Sequence, residues 1–143
     1  MSTEQNKMLV RRMFEMIATG NTASVAEVIA ADWVNVDSAL PPMKGIEGAK
    51  QLMTLFSNAF PDVQLNMDIV VADADKVAVH FTFRGTQKGK FLAVPPTGKS
   101  VSVPGTGVFR IEDGKIVENR VVFDALGMMQ QLGVAPAPEQ APR

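Results

Sequence analysis

The segment from Gly105 to Gly133 constrains the fold more than any other part of the chain. It contains two β-type apolar runs, Val108–Ile111 and Ile116–Phe123, on either side of the pair Asp113-Gly114. Both central residues of a type I′ turn need positive φ, so an Asp-Gly pair between such runs is a strong hairpin signal. The sequence therefore predicts an antiparallel hairpin that turns at this pair.

The position of the turn predicts the register of the hairpin. If Ile111 opposes Ile116, counting back along the ladder places Phe109 opposite Glu118 and Gly107 opposite Arg120. Opposed residues share a face of the sheet, and side chains alternate along each strand. The two faces of the second strand are then predicted to carry Glu118, Arg120, Val122 and Asp124 on one side and Asn119, Val121 and Phe123 on the other.

Asp124 ends this strand and precedes a short apolar helix-like segment, Ala125–Leu132. One interpretation is an N-cap, because Asp accepts hydrogen bonds from the first free amides of a helix. The other is a catalytic acid/base, because a carboxylate half enclosed by hydrocarbon has its pKa raised toward neutrality. The residues alone leave both interpretations open.

Helical periodicity precedes the extended runs. Apolar spacing predicts helices over 3–18, 22–30 and 46–60. A short β-like segment, 32–37, places Trp33, Asn35 and Asp37 on one side. Later extended runs are predicted at 63–71, 76–86, 90–94 and 100–111. This order predicts an α+β fold, with helices on one face of an antiparallel sheet and a small-molecule pocket between the two layers.

Composition excludes several classes of function. The chain has 143 residues and a net charge of −1, which gives no electrostatic footprint for nucleic acid or an anionic membrane. One histidine and no cysteine disfavour a tight zinc site. No run reaches the roughly 20 apolar residues of a membrane span, and the polar first residues predict a cytoplasmic protein without a signal peptide. We expect one domain over 1–133 and a disordered proline-rich tail over 134–143.

Six phrases carry a family resemblance. They are A-D-W-V-N-V-D at 31–37, N-A-F-P-D at 58–62, D-K-V-A-V-H-F-T-F-R-G-T-Q-K-G at 75–89, P-P-T-G-K at 95–99, F-R-I-E-D-G-K-I-V-E at 109–118 and D-A-L-G-M-M-Q-Q-L-G at 124–133. In this order and spacing they resemble the SnoaL-like polyketide cyclase group of the nuclear transport factor 2-like superfamily. The sequence departs from that group at Val36, Gln87, Asn119 and Arg120.

The resemblance implies a cone-shaped α+β barrel, in which a curved antiparallel or mixed sheet is covered by N-terminal helices around a deep apolar pocket. Members are usually dimeric through the outer face of the sheet. Characterised cyclases close the last ring of anthracycline-type polyketides by intramolecular aldol condensation, without metal or cofactor. An aspartate at the position of Asp124 serves as acid/base. The implied function is cofactor-independent cyclisation or isomerisation of a hydrophobic carbonyl compound by a homodimer.

Seven further residues are predicted to contact the substrate. They are Arg120, Glu118, Asn35, Trp33, Phe56, Val122 and Met128. Arg120 either holds a substrate carboxylate or enolate oxygen or forms an ion pair with Glu118. Trp33 and Phe56 either clamp a flat ligand or belong to the core. His80 is predicted at the surface or an interface.

Two other functions fit the same fold. A non-catalytic binding module would have Asp124 satisfied by backbone amides or paired with Arg120, and nothing else polar pointing inward. An epoxide hydrolase of the limonene-epoxide-hydrolase type would need two carboxylates bracketing an arginine. Arg120 and Asp124 would supply part of that site, with Asp37 or Glu118 as the second carboxylate.

Overall fold

A computed structural model describes residues 2–37 and 39–136. The helices are α1 (Thr3–Thr19), α2 (Val25–Val28), α3 (Gly45–Ala59) and α4 (Ala125–Gln131). The strands are β1 (Ile29–Asp37), β2 (Met43–Lys44), β3 (Gln64–Asp73), β4 (Lys76–Thr86), β5 (Ser100–Glu112) and β6 (Lys115–Phe123). The predicted α+β class is confirmed, although β1 replaces part of the predicted second helix. Residues 137–143 of the predicted tail lie outside the described residues.

The six strands form one curved, open sheet in the order β2-β1-β6-β5-β4-β3. β3 to β6 are antiparallel neighbours, whereas β1 lies parallel to β6. The sheet is therefore mixed, as the resemblance implied, but it is not closed into a barrel. The long connection from β1 to the hairpins carries α3 across the inner face of the sheet.

The helices cover one face of the sheet. A capping box starts α1, in which Ser2 Oγ accepts from Gln5 N at 3.1 Å and Gln5 Oε1 accepts from Ser2 N at 2.9 Å. Gly20, with φ 70°, ends the helix. The apolar stripe of α1 is buried against the rings of the sheet, where Phe14 meets Phe81 edge to face at 5.6 Å. The core therefore lies between α1, α3 and the inner face of the sheet.

The β5–β6 turn forms as predicted, but the register beyond it does not. Asp113 has φ 50° and Gly114 has φ 75°, and Ile111 opposes Ile116. The ladder then shifts, because Arg110 opposes Glu118 and Val117 has no residue opposite it. This β-bulge slips the register by one residue, so Phe109 opposes Asn119 and Gly107 opposes Val121. The predicted pairs Phe109–Glu118 and Gly107–Arg120 are wrong for this reason.

The strand predicted at 90–94 is also wrong. Phe91 and Val94 form only an isolated bridge, and Leu92 has φ 52°. The buried side chain of Gln87 holds this loop instead. Its Nε2 donates to Val94 O at 3.1 Å, and its Oε1 accepts from Thr97 Oγ1 at 2.8 Å.

Glycine on the inner face of β5 makes room for the aromatic rings. A Cβ added to Gly105 would lie 2.4 Å from Phe81 Cζ. We predict that Gly105→Ala lowers the free energy of unfolding by about 1–3 kcal/mol, because the ring must move in a packed core. Urea unfolding measures the change, with Ser102→Ala on the exposed face of β5 as the control. Equal stability of the two variants would contradict this account of the inner face.

Candidate functional site

An apolar cavity lies between the helices and the inner face of the sheet. It encloses about 600 Å³ of space not filled by atoms, its open mouth included, and about 60 Å³ of this can hold the centre of a water molecule. Most of this space is therefore too narrow to hold a water molecule. Its apolar lining consists of Met13, Phe14, Ile17, Leu40, Leu52, Phe56, Leu65, Phe81, Phe83, Phe109, Val121, Phe123 and Met128.

Three polar side chains line the cavity among the described residues: Asn35, Asp37 and Asn119. Asn35 and Asp37 are two residues apart on β1, and Asn119 lies beside Asn35 on the parallel strand β6. The predicted shared side of Trp33, Asn35 and Asp37 is confirmed, since Val34 and Val36 on the same strand are exposed. One end of an otherwise apolar cavity is thus polar.

Asn119 is held by its neighbours. Its Oδ1 accepts from Trp33 Nε1 at 3.1 Å, and its Nδ2 donates to Met13 Sδ at 3.5 Å. Trp33 is fully buried behind this amide and does not line the cavity. The indole N–H of Trp33 therefore orients the Asn119 amide in the wall of the cavity.

Asn35 and Asp37 are less fully satisfied. Asn35 is 7% exposed, and its Nδ2 has no hydrogen-bond partner within the described part of the chain. Asp37 Oδ1 accepts from Ala39 N at 2.8 Å. Burial raises the pKa of the Asp37 carboxyl, and the backbone amides of Ala39 and Leu40 oppose that rise. Asn35 therefore keeps an N–H donor that no described residue accepts.

The register slip in β6 moves several predicted site residues away from the cavity. Arg120 and Val122 are exposed on the outer face, opposite the cavity. Arg120 Nε donates to Glu118 Oε1 at 2.9 Å, which is the ion pair given above as the alternative to substrate binding. Of the seven predicted contact residues, Asn35, Phe56 and Met128 line the cavity.

Asp124 lies at the junction of β6 and α4 and is exposed. Its Oδ1 accepts from Gly127 N at 2.9 Å, so the carboxylate caps α4 in this structure. Asp124 is not among the residues that line the cavity, although Phe123 and Met128 on either side of it are. The residue therefore stands beside the cavity with its carboxylate turned to the helix.

The alternative functions can be compared with this geometry. The cavity lining includes one carboxylate and no arginine among the described residues, so the arrangement required for the epoxide hydrolase is not brought together there. The cap at Asp124 matches the arrangement expected for a binding module. A binding module is also expected to have no other polar side chain facing inward, and the three polar side chains of the cavity do not match that expectation.

Asp37 and Asn119 line the cavity, although the sequence patterns predict neither as a substrate contact of the cyclase. Asp37 is predicted above only as a second carboxylate for epoxide hydrolysis, yet its alternation with Trp33 and Asn35 places it on their side of the strand. The predicted alternation places Asn119 on the face away from Asp124, and the bulge turns that face toward the cavity. The alternation of apolar and polar residues along β6 does not reveal the bulge, because Ile116 and Val117 are both apolar.

Other features of the described residues limit what the site can hold. His80 is exposed on the outer face, where its Nδ1 lies 3.0 Å from Thr106 Oγ1. The described residues contain no group of three or more His, Cys, Asp or Glu side chains arranged to hold a metal ion. Within the same residues, no helix has both the length and the apolar character needed to cross a membrane.

The raised pKa of Asp37 makes stability depend on pH. The folded state binds this proton more tightly than the unfolded chain, whose carboxyl has a pKa near 3.8. The contribution of Asp37 to the free energy of unfolding should therefore fall as pH rises from this value through the folded pKa. We predict that Asp37→Asn removes that fall and is more stable than the wild type at pH 7. Urea unfolding between pH 4 and pH 8 tests this, and identical slopes would contradict it.

Comparison with known proteins identifies the family. A model of the SnoaL-like polyketide cyclases matches residues 7–132. The chain is 33% identical over 135 residues to the aklanonic acid methyl ester cyclase DnrD of Streptomyces peucetius, covering 92% of this chain and 93% of that one. DauD, a protein of the same description from Streptomyces sp. (strain C5), is also 33% identical over 135 residues, covering 92% and 84% of the two chains.

Solved structures agree with this match. TsrD from Streptomyces laurentii superposes with a TM-score of 0.85 at 25% identity, covering 94% of this chain and 99% of that one. IdmH from Streptomyces antibioticus gives a TM-score of 0.76 at 29% identity, covering 91% and 99%. The chain described here belongs to the SnoaL-like polyketide cyclase family.

Proposed function

We propose that this protein catalyses ring closure or isomerisation of a hydrophobic, polyketide-like carbonyl compound by acid/base chemistry without a cofactor. The observation that carries the proposal is the apolar cavity with a few polar side chains at one end. Such a cavity suits a flat apolar ligand whose orientation is fixed by a small number of hydrogen bonds. The relatives named as aklanonic acid methyl ester cyclases support the same class of substrate.

The chemistry needs few protein groups. A C–H bond between two carbonyls is acidic enough for one carboxylate to remove the proton. The enolate carbon then attacks a ketone carbon of the same molecule, and the new alkoxide takes a proton. A cavity that holds both ends of the substrate in contact can supply about 7–11 kcal/mol of the barrier through positioning alone.

Asp124 is the proposed base. Its support is the family position implied by the resemblance and its location between two cavity-lining residues, Phe123 and Met128. To reach a substrate, the carboxylate has to leave the Gly127 N–H that it accepts from. When the substrate binds, the Asp124 carboxylate leaves its capping position and moves to the mouth of the cavity.

The replacement Asp124→Asn tests the role of Asp124 as catalytic base separately from its role as the N-cap of α4. Asn is as good an N-cap as Asp, so the thermal midpoint should stay close to that of the wild type. Loss of the base should lower kcat by at least about 100-fold. Aklanonic acid methyl ester is the substrate to assay first, by the appearance of its cyclised product.

Two outcomes would contradict parts of the proposal. If Asp124→Asn retains wild-type turnover, Asp124 is not the base. If the wild-type protein binds the ester tightly, turns over no β-dicarbonyl ester and gives the same affinity in Asp124→Asn, the binding-module function replaces catalysis. The cytoplasmic location stays a prediction from the sequence.

We also propose that the protein is a homodimer through the outer face of the sheet. Apolar side chains remain exposed there on three neighbouring strands: Val36 on β1, Val108 on β5 and Val122 on β6, the last with 63% of its surface exposed. The register places Val36 and Val108 on either side of Arg120. A second copy covering this face would bury the exposed apolar area, which favours association.

A charge on this face tests the dimer. Val122→Asp should shift the protein to a monomer in sedimentation velocity, because the interface would have to take a carboxylate out of water in place of an apolar side chain. Leu126→Asp, at an equally exposed site on α4, is the matched control and should leave the assembly unchanged. A monomeric wild type, or a Val122→Asp variant that still dimerises, would contradict the proposal.

A further inference from the structure

We propose that Asn35 and Asp37 form the polar end of the cavity that receives a carbonyl oxygen of the ligand, with Asp37 donating the proton that the new hydroxyl keeps. This inference rests on the proposed function and extends it, because it assigns the acid to a different residue from the base. The class of ligand is a flat apolar compound with carbonyl oxygens at one end. Asn35 supplies an N–H donor, and Asp37 supplies an O–H donor.

The geometry of β1 supports the pair. Residues two apart on a strand point to the same face and lie about 7 Å apart, so the two side chains can contact two different carbonyl oxygens of one ligand. Asn35 also pairs in register with Asn119, whose amide is already held by Trp33 and Met13. The wall behind Asn35 is therefore fixed, while the buried Nδ2 of Asn35 has no partner in the described part of the chain.

The unpaired amide of Asn35 is the observation that points to a ligand. The residue lines the cavity, is 7% exposed, and its Nδ2 has no partner in the described part of the chain. A buried donor without a partner destabilises the folded state. A ligand oxygen that accepts from this N–H would remove that cost in the complex.

The surroundings of Asp37 favour its acid form. Two charged residues lie near Asp37 on the neighbouring strands. Lys44 on β2 is opposite Val34, and Arg120 on β6 is opposite Val36, and both of these positions face outward. The inner residues on β6, and those from α1 and α3 that line the cavity, are uncharged. Burial is accordingly the leading cause of the raised pKa of Asp37, and a carboxylic acid can donate a hydrogen bond where a carboxylate cannot.

The proton balance of the proposed step is complete. The base takes the proton of the carbon acid, and the enolate carbon forms a bond to the ketone carbon. The π electrons of that ketone move to its oxygen, which takes the proton from the Asp37 O–H. Asp37 ends as a carboxylate, the base ends protonated, and exchange with water restores both.

Binding of a neutral probe tests the site without requiring turnover. Trp33 is the only tryptophan in the chain, and its contact with Asn119 makes its fluorescence a reporter of the cavity. The probe is the methyl ester of anthraquinone-2-carboxylic acid, which has no titrating group. Wild-type affinity should fall at least threefold as pH rises from 4 to 8, because Asp37 loses its donor. That dependence should be absent in Asp37→Asn and present in Asp32→Asn, an exposed carboxylate on the same strand.

Asn35→Leu separates a binding role from a structural one. It should raise the thermal midpoint, because an unpaired buried donor is replaced by hydrocarbon, and it should weaken probe binding at least tenfold. If Asn35→Leu binds the probe as the wild type does, and the pH dependence of binding is the same in Asp37→Asn, the inference is overturned. This holds whether or not the protein has turnover.

Kinetics then distinguish the two proposals. If the wild type cyclises a β-dicarbonyl ester, Asp37→Asn should lower kcat by at least about 100-fold and remove the fall in rate at high pH, while its probe affinity at pH 5 stays within threefold. An active Asp37→Asn variant with an unchanged pH profile would overturn the acid role and leave the proposed function intact. A wild type with no turnover would refute the proposed function, and the binding measurements would still decide the site.

Discussion

The β-bulge at Val117 determines which side chains of β6 face the cavity. Without it, the turn at Asp113-Gly114 would place Glu118 and Arg120 on the face of Phe109, inside the molecule. With it, Asn119, Val121 and Phe123 face inward, and the ion pair of Arg120 and Glu118 faces outward. A slip of one residue reverses the face of every side chain that follows. The polarity of the cavity wall therefore depends on one unpaired residue near the turn.

The polar side chains of the cavity wall differ in how well the protein satisfies their hydrogen bonds. Asn119 is satisfied by Trp33 and Met13, so its burial has little cost. Asn35 and Asp37 are different, because one carries an unpaired donor and the other a carboxyl that burial drives toward its acid form. Groups of this kind lower stability and are typical of functional sites. The family match supports a hydrophobic polyketide-like substrate for this site, and in the proposal above Asn35 and Asp37 orient it.

Much of the fold could be predicted from local sequence, and the site could be predicted only in part. The helix stripe of α1, the alternation of β4 and the Asp113-Gly114 turn each follow from short-range patterns, and each is present. The shared face of Trp33, Asn35 and Asp37 follows from alternation in the same way. The faces of Arg120, Val122 and Asn119 depend on the bulge, which two consecutive apolar residues at 116 and 117 conceal. The parallel contact of β1 with β6 joins segments far apart in the chain, and periodicity carries no information about it.

The central claim is that ligand chemistry takes place at the inner face of β1 and β6, at its polar end. A crystal structure with the anthraquinone ester bound tests this most directly. The account predicts the ring system between Phe56 and the inner strands, with a carbonyl oxygen within hydrogen-bonding distance of Asn35 Nδ2. A ligand on the outer face beside Arg120, or one in the cavity with its oxygens turned away from Asn35 and Asp37, would contradict it.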